Sequence, residues 1–378
     1  MSGLWTSYNP VSIYFGRGCR EYLVDELTNQ RCLLVASARG RRQMCSDSIL
    51  GSLVNRPQNQ WVDTVRSNPD MNDLQRDVDG LGGQTFDAII GFGGGSALDT
   101  AKVLSVSLAP EINGTALLSD LLKKPIRHED VTPLPLYSVP STAGTGSEVT
   151  PFATIWDHEL RKKHSLSGPA VFPHTAVVDP LLTNELPYEE TLFSGIDSIN
   201  QAAESIWNTN ATPITIGYAT RALRLGFKAL PKLVKGEGGV AERTQMAECS
   251  LLAGLSISQT RTALCHSISY PITAYFGVPH GLACAFTMPA VLRLNLKSDD
   301  ARFQQLEKDL GYSDLQQAFD VLNGQLRVTE LLKKYVRSLD ELQAHIDEML
   351  TPGRADNNLV QVNTHIINQL LIDAWQQA

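Results

Sequence analysis

Across its first 180 residues the chain keeps returning to short aliphatic and β-branched runs: Val11-Ser12-Ile13-Tyr14-Phe15, Cys32-Leu33-Leu34-Val35, Ala88-Ile89-Ile90, Leu136-Tyr137-Ser138-Val139 and Thr175-Ala176-Val177-Val178. Polar, helix-compatible segments separate several of them. That alternation predicts an α/β layer architecture with a largely parallel sheet. After Asp179-Pro180 the β-branched runs disappear. Ala219, Ala222, Leu223, Phe227 and Leu230 recur at helical spacing, so the rest of the chain is predicted to be helical. The expected domains are residues 1–180 and 181–378, a length that allows two sizeable cores.

One junction carries chemistry. The run Phe86-Asp87-Ala88-Ile89-Ile90 feeds the stretch GFGGGSALDTAK, residues 91–102. No Lys follows the glycines at Walker A spacing, and Ser96 stands where a Rossmann fingerprint needs its third glycine. Gly93, Gly94 and Gly95 still let backbone N–H groups approach an anion, and Ser96 is positioned to cap the helix that follows.

Composition narrows the alternatives. A net charge of -8 leaves no electrostatic footprint for nucleic acid. Apolar runs such as Leu282-Ala283-Cys284-Ala285-Phe286 are too short to span a bilayer. The opening MSGLWTSYNP lacks the pattern of a secretory leader. The six cysteines form no C-x-x-C pair and read as reduced thiols of a cytoplasmic protein.

Several separated stretches, in order, resemble the iron-containing (group III) alcohol dehydrogenase family, whose fold is shared with glycerol dehydrogenase and dehydroquinate synthase. They are Phe15-Gly16-Arg17-Gly18, Asn68-Pro69, Gly93-Gly94-Gly95-Ser96 with Asp99 and Ala101-Lys102, Pro140 through Glu148, Val178-Asp179-Pro180, Gly195-Ile196-Asp197 and Pro279-His280-Gly281. The resemblance implies an N-terminal dinucleotide-binding α/β domain, an all-helical C-terminal domain and a reaction in the cleft between them. It implies that the Gly93–Ser96 turn holds the pyrophosphate of NAD(P), and that Ser141, Thr142 and Thr145 bond the cofactor. Asn68, Asp99, Thr150 and Lys163 match further positions of the cofactor face. Ser37 stands where NAD-preferring relatives often carry Asp, with Arg39, Arg41 and Arg42 behind it. An acid would repel a 2′-phosphate and Ser with Arg can bind one, so NADPH is expected, with NADH as the alternative.

The family's divalent metal is held by an Asp, a His one helical turn later and two further His residues. Here Asp197, His266 and His280 are kept, but Gln201 replaces the first His. An amide oxygen is a poorer ligand than imidazole, so Fe²⁺ or Zn²⁺ is expected to be held weakly or not retained. Tyr270 replaces another His of the family and is expected to donate a proton, beside His266 and His280. Gln201, the run Glu204-Ser205-Ile206-Trp207-Asn208-Thr209-Asn210-Ala211-Thr212-Pro213 and His266 through Pro271 are similar to the phosphonoacetaldehyde reductase (hydroxyethylphosphonate dehydrogenase) branch. The resemblance thus implies a homodimer that reduces a small, anionic aldehyde. Its rivals are an iron-type alcohol dehydrogenase of a neutral substrate, a dehydroquinate synthase-like lyase and a non-catalytic nucleotide-binding protein.

Overall fold

A computed structural model describes residues 4–160 and 162–376, and the chain divides into two compact units. An α/β unit comprises Asn9–Thr142 and Gly146–Glu185; a helical unit comprises Leu186–Ala378 with the short pieces Met1–Tyr8 and Ala143–Thr145.

The α/β unit contains strands β1 (Ser12–Phe15), β2 (Cys32–Ala36), β3 (Gln60–Val62), β4 (Ala88–Gly93), β5 (Leu136–Pro140), β6 (Phe152–Asp157), β7 (Lys162–Ser167) and β8 (Thr175–Val178). Six form one sheet in the order β1-β8-β5-β4-β2-β3, with every pairing parallel. All five strands expected from the sequence lie in it. β3 escapes detection because only three residues long, and the antiparallel β6–β7 hairpin because Lys162-Lys163-His164 does not read as a strand. Helices α1 (Glu21–Glu26), α2 (Ala38–Ser46), α3 (Gly51–Val54), α4 (Met71–Leu81), α5 (Gly95–Ser107) and α6 (Leu118–Leu121) complete the unit. Every residue of β2 and β4 is buried. Leu33, Val35 and Ile89 join one apolar cluster, while Leu34, Ala36 and Ile90 join another, as strands covered on both faces require.

The glycine turn works by close approach. A Cβ on Gly91 would lie 2.7 Å from Ala101 Cβ, and one on Gly93 (φ 145°) would lie 2.8 Å from Ala97 Cβ, so only glycine lets α5 lie this close to β4. The capping expectation for Ser96 is corrected here: the N-cap residue is Gly94, and Ser96 sits in the first turn with its Oγ accepting the Asn68 N–H at 3.2 Å. The Phe15–Gly18 and Val178–Pro180 motifs also meet. Asp179 accepts bonds from Gly18 N (2.9 Å), Arg20 Nη1 (2.5 Å) and Leu181 N (3.1 Å).

The helical unit contains α7 (Tyr188–Ile206), α8 (Pro213–Val234), α9 (Val240–Thr260), α10 (Leu264–Phe276), α11 (His280–Leu296), α12 (Ala301–Leu310), α13 (Leu315–Gln325), α14 (Val328–Leu332), α15 (Leu339–Gln343) and α16 (Thr364–Gln376). Between His266 and His280 one helix ends and another begins, at Gly277 (φ 66°) and Pro279, and Pro271 lies inside α10. Gly195 and Gly226 let α7, α8 and α9 pack closely: a Cβ on either would come within 2.6 Å of a Leu230 or an Ile199 side-chain carbon. No helix among the described residues is long and apolar enough to cross a membrane.

Beneath the Ser147–Thr150 turn lies a buried charge network. Lys102 donates to Ser147 Oγ (2.8 Å), Thr150 Oγ1 (3.0 Å) and Phe152 O (2.8 Å), and Asp99 accepts from Ser147 Oγ (2.6 Å) and Thr154 N (2.8 Å). Burial pushes the Lys102 ammonium down to about 8 and the Glu148 carboxyl from its ordinary 4.5 up to about 7. The folded protein therefore binds the Glu148 proton more tightly than the unfolded chain does. Its contribution to stability is complete below about pH 4.5 and is lost as pH rises through about 7. Glu148→Gln should flatten the Tm-against-pH curve across that interval, with wild type losing roughly 2–3 kcal/mol more than the variant; parallel curves would contradict the assignment.

Candidate metal centre and nucleotide cradle

The α/β unit holds the residues expected at the cofactor except Thr145, with Ser37 at the start of α2 and Gly94, Gly95 and Ser96 at the start of α5. α5 has no side-chain cap, which leaves the first N–H groups of its 13 residues available to an anion. Ser141 N donates to Gly93 O at 2.9 Å, and Thr142 lies beside Gly94. Asn68 holds a left-handed backbone (φ 57°) over Ser96, with its carbonyl 3.1 Å from His158 Nε2. Ser37 caps α2 through Gly40 N at 3.1 Å, and Arg39 reaches Glu185 O at 3.3 Å. Arg41 pairs with Asp63 at 2.6 Å and lies over the Trp61 ring. Asp99 and Thr150 point into the Lys102 network, while the Lys163 ammonium lies 5.9 Å from the centre of the Trp156 ring. Thr145 belongs to the helical unit.

In the helical unit, α7, α10 and α11 bring Asp197, His266 and His280 together, and Cys284 joins them. Among the described residues these four form the one group able to hold a metal ion, with one donor atom from each within 4.8 Å of the others. The carboxylate is fixed by Gln201, which donates from Nε2 to Asp197 Oδ2 at 2.9 Å; Gln201 Oε1 is buried without a hydrogen-bond partner. His266 Nε2 lies 3.6 Å from Asp197 Oδ1, and its Nδ1 lies 2.5 Å from Glu204 Oε2. A carboxylate on the far nitrogen fixes the ring and turns the near nitrogen toward the cluster. Burial opposes a charge on His266, but its contacts with the Cys284 sulfur and the Glu204 carboxylate outweigh it and hold its proton affinity well above the ordinary imidazole range. The cluster thus favours positive charge at its centre. One carboxylate, two imidazoles and a thiol, all buried but His280, which is half-buried, fit a divalent ion of the borderline-soft class.

Glu204 does more than orient a ring. α10 has no side-chain cap of its own at Ala263, and Glu204, fully buried on α7, accepts the N–H groups of Ala263 (3.1 Å) and His266 (3.2 Å). Immediately before, at the end of α9, Arg261 adopts φ 59°, ψ 178°, a conformation that is nearly exclusive to glycine. Thr260 Oγ1 (2.8 Å) and Asn208 Nδ2 (3.2 Å) donate to its carbonyl, and Asn357 Nδ2 donates to Thr262 O at 2.9 Å. Arg354 Nε donates to the Tyr270 oxygen at 3.2 Å, and the Tyr270 ring stacks near His280 with centroids 6.3 Å apart. Burial and the neighbouring Arg354 charge both lower the proton affinity of Arg261, so this corner concentrates positive charge.

The sequence profile described as iron-containing alcohol dehydrogenase matches residues 10–180, and its C-terminal counterpart matches residues 191–375. The chain belongs to the iron-containing alcohol dehydrogenase family. It is 35% identical to a phosphonoacetaldehyde reductase of Streptomyces viridochromogenes over 214 residues, 55% of this chain and 53% of that protein. It is 34% identical to the probable alcohol dehydrogenase EutG of Escherichia coli over 224 residues, 59% of this chain and 55% of that one. The aligned segment therefore spans about half the length of these two relatives. Among solved structures, a sulfoacetaldehyde reductase from Bifidobacterium kashiwanohense in complex with NAD⁺ covers 100% of both chains at 25% identity, with a TM-score of 0.87. An iron-containing alcohol dehydrogenase from Thermotoga maritima covers 98% of this chain and 99% of its own, at 27% identity and a TM-score of 0.78. The fold is that of the iron-containing alcohol dehydrogenases, the dehydroquinate synthase-like fold.

For this family member, sequence reasoning missed Cys284 and Arg354. The first had a signal, since it lies one helical turn after His280 on α11. The second had none, because it sits in an irregular segment far along the chain. What lets α11 bring His280 to Asp197 is Gly281: a Cβ there would overlap Phe193 O and lie 2.9 Å from Asp197 Cβ. Gly281→Ala should therefore push α11 off α7, costing about 2 kcal/mol or more of stability and lowering metal content. Thermal unfolding and elemental analysis of the purified variant check this; wild-type values in both would refute it.

Proposed function

We propose that the protein reduces a small anionic aldehyde to its alcohol with NADPH, phosphonoacetaldehyde to 2-hydroxyethylphosphonate being the leading case. The observation that carries the reading is Arg261, an arginine held in a glycine-like conformation beside Arg354 and Tyr270. Such strain costs roughly 1–3 kcal/mol, and charge-assisted bonds to a phosphonate or sulfonate give a reason to keep it. The names of two relatives, a phosphonoacetaldehyde reductase and a sulfoacetaldehyde reductase, support the same substrate class.

When bound, NADPH would supply the hydride, and a divalent ion held by Asp197, His266 and His280 would supply positive charge for the carbonyl oxygen. The chain's own residues do the rest. Arg261 and Arg354 hold the anionic end of the aldehyde, which fixes the orientation of the carbonyl. Tyr270 accepts a bond from Arg354 and so keeps its own O–H proton for the developing alkoxide; the guanidinium stabilises the phenolate left behind. Glu204 holds His266 in a single orientation. NADPH is favoured by Ser37 in place of an acid, with Arg39 and Arg42 exposed beside it, although Arg41 is partly committed to Asp63.

Arg261→Gly should remove backbone strain and one cation together. Tm should be unchanged or higher, while kcat/KM for phosphonoacetaldehyde falls about 10- to 100-fold, a loss that propanal does not share. Equal losses for both aldehydes, or better turnover of propanal by wild type, would refute the anionic substrate. Ser37→Asp should weaken NADPH at least ~10-fold more than NADH. Equal loss in binding titrations would show that this strand end does not face the 2′-phosphate.

A further inference from the structure

We propose that Cys284 is the fourth protein ligand of the metal centre, taking the coordination place that Gln201 gives up. The proposal stands apart from the choice of aldehyde and concerns only how this chain completes its ion site.

Gln201 is on the right helix face, but its Nε2 is turned to the cluster's own carboxylate while its neutral Oε1, buried without a hydrogen-bond partner, is the weaker donor. Its Nε2 is bonded to Asp197 Oδ2, so the side chain acts as a brace for the carboxylate. Cys284 is better placed. It follows His280 by four residues on α11, which puts thiol and imidazole on one face. Its Sγ lies 3.7 Å from His280 Nε2 and 3.9 Å from Nδ1 and interacts with His266. Ligand atoms around a tetrahedral ion sit roughly 3.3–3.8 Å apart. A cluster spanning 4.8 Å at most is therefore about an ångström from closing round an ion by side-chain adjustment alone.

The exchange changes the chemistry of the site. Replacing imidazole by thiolate adds a negative charge and a softer donor, which tightens binding of Zn²⁺-class ions and disfavours Mg²⁺. It also removes the weakness that a neutral Gln201 oxygen alone would impose.

The test is cobalt substitution. Metal-free full-length protein titrated with Co²⁺ alone should develop a near-ultraviolet thiolate-to-cobalt charge-transfer band that saturates at one ion per chain. Cys284→Ser should lose the band and bind Co²⁺ or Zn²⁺ more weakly, by at least the ~10- to 100-fold typical of removing a supporting group. Gln201→Ala should keep the band. Stoichiometric Co²⁺ binding by wild type without that band would overturn the proposal, and so would a Cys284→Ser variant that binds both ions as tightly as wild type. The wild-type spectrum alone decides the matter even where a variant folds poorly.

Discussion

A single buried carboxylate holds the functional half of the helical unit together. Glu204 accepts the Ala263 and His266 N–H groups and the His266 ring nitrogen, all within hydrogen-bond distance. It therefore caps a helix from outside, fixes the ring of His266 in the candidate metal cluster and anchors the loop that begins at Arg261. Charge-assisted bonds of this kind contribute about 1.5–3 kcal/mol each, and removing one partner of a buried ionic group costs about 3–5 kcal/mol. The carboxylate is affordable inside the protein because its donors leave little of it unsatisfied.

The same run of sequence that contains Glu204 also builds the rest of the corner. Ser205 contacts Thr260 at 3.2 Å, Asn208 bonds Arg261 O and Asn210 bonds Thr260 O. Thr209 N donates to Asn357 O, which ties the corner to the segment carrying Arg354. Backbone strain at Arg261 persists because so many neighbours over-determine it.

Much of this was legible in the sequence, for identifiable reasons. Central parallel strands such as Cys32–Ala36 and Ala88–Gly93 announce themselves because both faces are buried and no polar alternation interrupts them. The β6–β7 hairpin was hidden by the run Lys162-Lys163-His164, which lacks the apolar residues of a strand. Asp197, His266 and His280 were found by family resemblance, not by spacing, since three helices assemble them from residues up to 83 positions apart. Cys284 was overlooked because a lone cysteine in an apolar helix reads as core. The four-residue spacing from His280 was there to be read; only the fold shows the sulfur 3.7 Å from His280 Nε2 and in one cluster with Asp197 and His266. Ser96 read as a helix cap because serine is a good one; the tight α5–β4 approach gives that place to Gly94, which needs no side chain there.

The central claim is that one residue couples the ion site to the anion site, and Glu204→Gln tests it most directly. The amide keeps the shape but offers a single acceptor oxygen where two took three donors. With circular dichroism confirming a folded protein, the account predicts that the variant loses tight metal retention and, in the same preparation, its preference for phosphonoacetaldehyde over propanal. A folded variant that keeps wild-type metal affinity and wild-type selectivity, or loses one while the other is untouched, would contradict it.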